Sequence, residues 1–169
     1  MAGMLRVMSR GDGALEEVLA DAVGYDLLTG RFEPDSPVIA GTPYEVAEEM
    51  LPHLPDPPPL SLLVERLNSA AAAAPMAEAV PLGPYLDGLL ARGLRLGVVT
   101  NDAEAPARAH LGQVGVLTAF DIVIGCDSGH GAKPAPGPVL GAREARGSRP
   151  EQAVMGGDSL HDLMAGRAA

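Results

Sequence analysis

Apolar positions in the first half of the chain recur with a helical period, whereas those in the second half gather into short runs. Leu15, Val18, Leu19 and Ala22 share one helix face, and Gly24 supplies a stop. Turn formers Gly30, Pro34, Asp35, Ser36 and Pro37 crowd the segment from Tyr25 to Ala40. Thr42-Pro43-Tyr44-Glu45 reads as a capping box with proline at the first helical position, opening a helix expected to reach His53. Asp56-Pro57-Pro58-Pro59 is a rigid break, after which a further helix spans roughly Leu60 to Ala74. Nothing in this half alternates with period two, so no strand is expected in it.

From Pro84 the pattern changes. Leu86, Leu89 and Leu90 line one face of a helix that ends at Gly93, and Leu94 to Val99 forms an apolar strand. A helix from about Glu104 to Val114 leads to a second strand, Phe120 to Ile124, and a glycine-rich loop runs on to Lys133. Pro138 to Arg146 reads as a helix, Ala153 to Met155 as a third strand, and a last helix starts at Ser159. Strands alternating with helices imply an α/β protein with a doubly wound parallel sheet. Ligands bind such sheets beyond the carboxyl ends of the strands. Each polar cluster of interest stands at one of those ends.

Composition narrows the class. At 169 residues and 47% hydrophobic, the chain suits one domain, or a small core with a modest insertion. Aromatics make up only 3% and Trp is absent, so the core must be built from Leu, Val, Ala and Met. A net charge of -10 offers no basic field for nucleic acid or an anionic membrane surface. No apolar stretch reaches the roughly 18 residues of a membrane span. The residues after Met1 do not have the form of a signal peptide. The lone Cys126 fits a reducing cytoplasm, where we expect the protein to reside. Cations are eleven arginines and one lysine, Lys133, which hints at a place requiring a compact ammonium.

Three clusters carry candidate chemistry. Thr100-Asn101 follows the first apolar strand, where a hydroxyl and the next backbone N–H can meet a phosphate oxygen. Equally, Thr100 or Asp102 can serve as a helix N-cap. Lys133-Pro134 lies in the loop after the second strand, placed either to neutralise phosphate or to sit in solvent. Gly157-Asp158-Ser159-Leu160-His161-Asp162 sets two carboxylates four residues apart at a strand end, a hard oxygen site suited to Mg²⁺ or a capped helix start.

In this order and setting, "LGVVTND", "KPAP" and "GGDSLHDLMAGRAA" resemble the second, third and fourth motifs of the haloacid dehalogenase superfamily, in its phosphoglycolate-phosphatase-like branch. The resemblance implies a Rossmann-like core at residues 80–169 with an inserted α-helical cap at residues 1–79. It implies that Thr100, through its hydroxyl, and Asn101, through its backbone N–H, hold a phosphoryl group. Lys133 would neutralise that group, while Asp158 and Asp162 would bind Mg²⁺. The expected substrate is a small phosphorylated metabolite, attacked by an aspartate to give an aspartyl-phosphate.

That aspartate should stand in an N-terminal D-x-D-G-T motif, and it is missing. Only Gly11-Asp12-Gly13-Ala14-Leu15 comes close, and Arg10 occupies the nucleophile's place. Asp12 reads instead as a helix-start residue in the cap. The expectation is therefore a core lacking its first, central strand, between those ending at Val99 and Met155, with two open edges. It is a phosphomonoester hydrolase by family and inactive as given; the alternative is a non-catalytic phosphate-binding or interaction protein. His161 is expected to face solvent, His130 to be a polar loop residue, and Cys126 to be a small buried apolar group. Asp127 and Ser128 are candidates for shaping the pocket.

Overall fold

The computed structural model describes residues 1–76 and 79–169, and the chain separates into two compact units, Met1–Ala71 and Ala72–Ala169. Residues 77 and 78, beside the expected domain boundary, lie outside the described residues.

The first unit contains α1 (Ala2–Met8), α2 (Gly13–Ala22), α3 (Pro37–Ala40), α4 (Pro43–Met50) and α5 (Leu60–Ala72). Local chemistry starts α2, α3 and α4. The Asp12 carboxylate accepts from the N–H groups of Ala14 and Leu15 at 3.0 and 3.3 Å, so it caps α2 as its position predicts. Thr42 and Glu45 form the expected reciprocal box at α4. A 3₁₀ turn at Leu51–His53 then ends that segment, tighter than the α-helix anticipated there. Leu5, Leu19, Val23, Met50 and Leu63 are completely buried in one apolar cluster.

One expectation for this unit fails. A hairpin, β1 (Tyr25–Asp26) against antiparallel β2 (Arg31–Phe32), occupies the turn-rich segment. With two residues per strand, it is too short to show a period of two. Its turn is held by the Asp26 carboxylate, which accepts from Leu28 N–H and Thr29 N–H, while the Tyr25 and Phe32 rings meet at 5.0 Å.

The second unit contains α6 (Leu82–Leu90), β3 (Gly97–Val99), α7 (Glu104–Gln113), β4 (Ile122–Ile124), α8 (Gly137–Glu144) and α9 (Leu160–Ala168). Strands β3 and β4 are parallel, pairing Gly97 with Ile122, Val98 with Val123, and Val99 with Ile124. The first strand begins later than Leu94, because Leu94 and Arg95 are exposed after the Gly93 turn. Ladder bonding begins where Leu96 C=O accepts from Asp121 N–H at 2.9 Å.

The third expected strand does not form. Ala153 is extended, but among the described residues no strand pairs with residues 153–155, and Val154 is 97% exposed. A strand is defined by its neighbour's hydrogen bonds, and an apolar run alone does not make one. The segment lies instead against α9, where a Cβ on Gly166 would come within 2.6 Å of Met155 Cβ. On α9, Leu160, Leu163 and Met164 point outward. No helix among the described residues is long and apolar enough to cross a membrane.

Candidate functional site

At the carboxyl end of β3, the chain turns through Thr100 and Asn101 before α7 begins. Thr100 N–H extends the ladder to Ile124 C=O at 2.9 Å, which anchors the residue to the sheet. Its Oγ1 accepts from Asp102 N–H at 3.1 Å, leaving the hydroxyl proton available for donation. Thr100 and Asp102 do not cap α7. That role falls to Asp127 from the loop after β4, whose carboxylate accepts from Glu104 N–H at 2.8 Å.

Lys133 arrives from that same loop. Its Nζ donates to Val99 C=O at 2.8 Å and to Asp162 Oδ1 at 2.5 Å, with the two side chains only 11% and 7% exposed. Two of the ammonium's three donors are thereby committed at the mouth of β3. The Lys133 main chain is held as well. Its N–H donates to Asn101 Oδ1 and its C=O accepts from Asn101 Nδ2, both at 2.8 Å.

Asp162 meets Lys133 because Ser159 caps α9. Ser159 Oγ accepts from Asp162 N–H at 3.2 Å, and Asp162 Oδ2 accepts from Ser159 N–H and Oγ–H at 3.1 and 2.7 Å. Burial works to raise the Asp162 pKa, but the bonds from Lys133 and Ser159 outweigh it and hold the carboxyl below its ordinary value. Capping and pairing coexist here: one oxygen faces the helix start and the other faces the lysine.

The donor set for Mg²⁺ is correspondingly thin. Asp158 is exposed, both oxygens of Asp162 are occupied, and among the described residues no three acidic, His or Cys side chains gather around a point. Mg²⁺ demands six oxygens in near-octahedral array, commonly one or two carboxylates completed by water and substrate phosphate. Asp158 and Asp162 would have to be completed by water and phosphate oxygens to hold the ion.

Asn101, Lys133 and Asp162 are thus joined by hydrogen bonds at the end of β3, where Thr100 follows Val99, whereas Asp158 is exposed. Position along the sequence did not point to Glu104. Its carboxylate accepts from Ser128 Oγ–H at 2.7 Å, and Ser128 Oγ in turn accepts from Gly125 N–H at 3.0 Å. Hydrogen bonds from Ser128 and Arg108 hold the Glu104 carboxyl below its ordinary pKa. Cys126 N–H donates to Asp102 C=O at 3.0 Å, and a Cβ on Gly125 would lie 2.2 Å from Glu104 N. Such a contact is impossible, so the glycine is what lets the two loops touch. The ring of His130 lies against Gly141 of α8. Cys126 and His161 are both half-buried, the first less covered and the second more covered than their sequence settings suggest.

Comparison with known proteins gives a consistent picture. A family model described as haloacid dehalogenase-like hydrolase matches residues 63–169. A phosphoglycolate phosphatase of Rhodospirillum rubrum is 42% identical over 84 residues, which is 50% of this chain and 35% of that protein. Pyrophosphatase PpaX of Bacillus pumilus is 37% identical over 78 residues, 46% of this chain and 36% of that protein. The chain therefore spans little more than a third of the length of these relatives. A solved structure, described as a predicted phosphoglycolate phosphatase from Haemophilus somnus, superposes with a TM-score of 0.68 at 18% identity, covering 90% of this chain and 75% of that one. That likeness shows a shared α/β fold.

Proposed function

This chain belongs to the haloacid dehalogenase-like hydrolases, and we propose that it carries the phosphate-binding and charge-neutralising part of a phosphomonoester hydrolase site. The observation that carries this reading is the place of Lys133. Its ammonium is nearly buried at the end of a parallel strand, bonded to the carbonyl of Val99, the residue before Thr100. A cation so placed, with one N–H left over, is a receptor for a small oxyanion. Asp162 offsets its charge and keeps it from swinging into solvent. Thr100 Oγ–H and Asn101 N–H supply neutral donors at the same strand end.

The substrate class we propose is a small phosphate monoester or phosphoanhydride. The matched relatives named for phosphoglycolate and for pyrophosphate point to that class, and the acidic surface disfavours a polyanionic macromolecule. In our reading, residues 1–79 serve as the helical cap and residues 80–169 as the core, and a divalent cation would need donors beyond Asp158 and Asp162. Asp12 cannot serve as the attacking carboxylate while it caps α2. The 169-residue chain should therefore bind phosphate without turning over a phosphomonoester.

Calorimetric titration of inorganic phosphate into the chain and into Lys133→Ala tests the reading. Loss of one charged hydrogen bond is worth about 1.5–3 kcal/mol, so affinity should fall about 10- to 150-fold. Lys133→Arg should be nearly as harmful, because a planar fork does not fit between Val99 C=O and Asp162. Unchanged affinity in Lys133→Ala would refute the assignment. Hydrolysis of p-nitrophenyl phosphate by the chain with Mg²⁺, abolished by Asp158→Ala, would overturn the expected lack of turnover.

A further inference from the structure

Lys133 sits on a loop, and a loop by itself does not fix an ammonium to the tolerance that oxyanion recognition demands. What fixes it is visible in the bonds between two segments, residues 100–104 after β3 and residues 125–133 after β4. They are tied at both ends. At one end Asn101, a residue only 6% exposed, closes a ring through its side chain with the N–H and C=O of Lys133. At the other, Cys126 N–H bonds Asp102 C=O, Asp127 caps Glu104 N–H, and Ser128 Oγ–H reaches the Glu104 carboxylate.

The chemistry of each tie is specific. A primary amide is the one side chain that both accepts and donates in the geometry of a backbone pair. Asn101 therefore satisfies both main-chain groups of a half-buried loop residue that is followed by proline and has no ladder of its own. The Ser128 hydroxyl acts as a relay, accepting from Gly125 N–H and donating to Glu104, so the loop's first turn is drawn onto the first turn of α7.

We propose that Asn101, through its side-chain amide, and Ser128, through Glu104, are positioning residues that latch the two loops into one frame and so set where the Lys133 ammonium stands. Neither side chain needs to touch the anion. The inference rests on Lys133 being the phosphate-neutralising group, and it adds what holds that group in place.

Because the chain has a single lysine, lysine-selective ¹³C/¹⁵N labelling of the full chain yields one side-chain signal, that of Lys133. In the native chain the ε-carbon and ζ-nitrogen signals should differ from those of free lysine and shift on addition of inorganic phosphate. In Asn101→Ala the signals should collapse toward free lysine, and phosphate affinity should drop at least about tenfold, while circular dichroism shows retained helices. Ser128→Ala should weaken phosphate binding by about threefold, and Ser128→Thr, which keeps the hydroxyl, should restore it. This second pair decides the matter if Asn101→Ala does not fold. Native lysine signals and native affinity in both Asn101→Ala and Ser128→Ala would overturn the latch. If the variants move the lysine signal but phosphate never does, the latch stands and the phosphate reading falls.

Discussion

The two units of the chain are held together by different means. Among the described residues, five of the six largest fully buried side chains, Leu5, Leu19, Val23, Met50 and Leu63, lie in the first unit, and Pro138 lies in the second. The first unit closes over its apolar surface with helices, three of which, α2, α3 and α4, carry a local capping side chain. The second keeps Ala103, Val123, Ile124 and Ala165 inside, leaves Val154, Leu160, Leu163 and Met164 in solvent, and has polar ties between its loops. Apolar packing tolerates small displacements, whereas a hydrogen-bonded network loses its geometry when one member goes. The unit that carries the candidate chemistry is accordingly the one whose shape is written in polar contacts.

The sharpest test of this contrast pairs two leucines. Leu63→Ala in α5 empties a completely buried site and should cost about 2–5 kcal/mol in urea denaturation. Leu163→Ala on the outer face of α9 should change stability by less than about 0.5 kcal/mol. Equal losses would mean that the face of α9 is covered in solution, and the contrast would fail. Next in size is Gly125→Ala, which forces α7 and the 125–133 loop apart and should cost about 1–3 kcal/mol. Its denaturation curve should move while Leu163→Ala stays at the native midpoint.

Caps sharpen the comparison further. Thr42→Ala and Ser159→Ala each remove a capping side chain and should each cost about 1 kcal/mol. Only Ser159→Ala should also weaken phosphate binding, because Ser159 orients the carboxylate that holds Lys133. Equal phosphate affinity in the two variants would disconnect the α9 cap from the site. The smallest effect concerns pH. The Glu104 carboxyl lies below its ordinary value in the folded chain, so its contribution is fully present above about pH 4.3. That contribution fades as pH falls through the lower folded value. Below pH 4 the native chain should lose slightly more stability than Glu104→Gln does, read as converging melting temperatures.

Features decided within a few residues were legible in the sequence. The Asp12 and Thr42 starts, the stop near Gly24, and the helices at Leu60 and Glu104 all follow from neighbours in the chain. Residues 153–155 were misjudged because a strand is a relation between segments, and an apolar triplet says nothing about whether a partner lies alongside. The hairpin at Tyr25–Phe32 escaped because its strands are too short for any period. In the site, residue types at strand ends marked Thr100 and Lys133 as worth attention. That Asn101 clasps Lys133 across 32 positions, or that Asp127 caps a helix from another loop, depends on contacts no local pattern encodes.

One consequence follows from the glycine that lets Met155 rest on α9. Packing of Met155 against the helix holds the stretch from Val154 to Gly157, while no strand among the described residues shelters its amide protons. Position and protection therefore part company there. In deuterium exchange these amides should label within the first time points, as those of an unfolded peptide do. In nanosecond relaxation the same residues should give order parameters near those of a rigid backbone. Fast labelling at this stretch would then report an unshielded backbone and no motion at all.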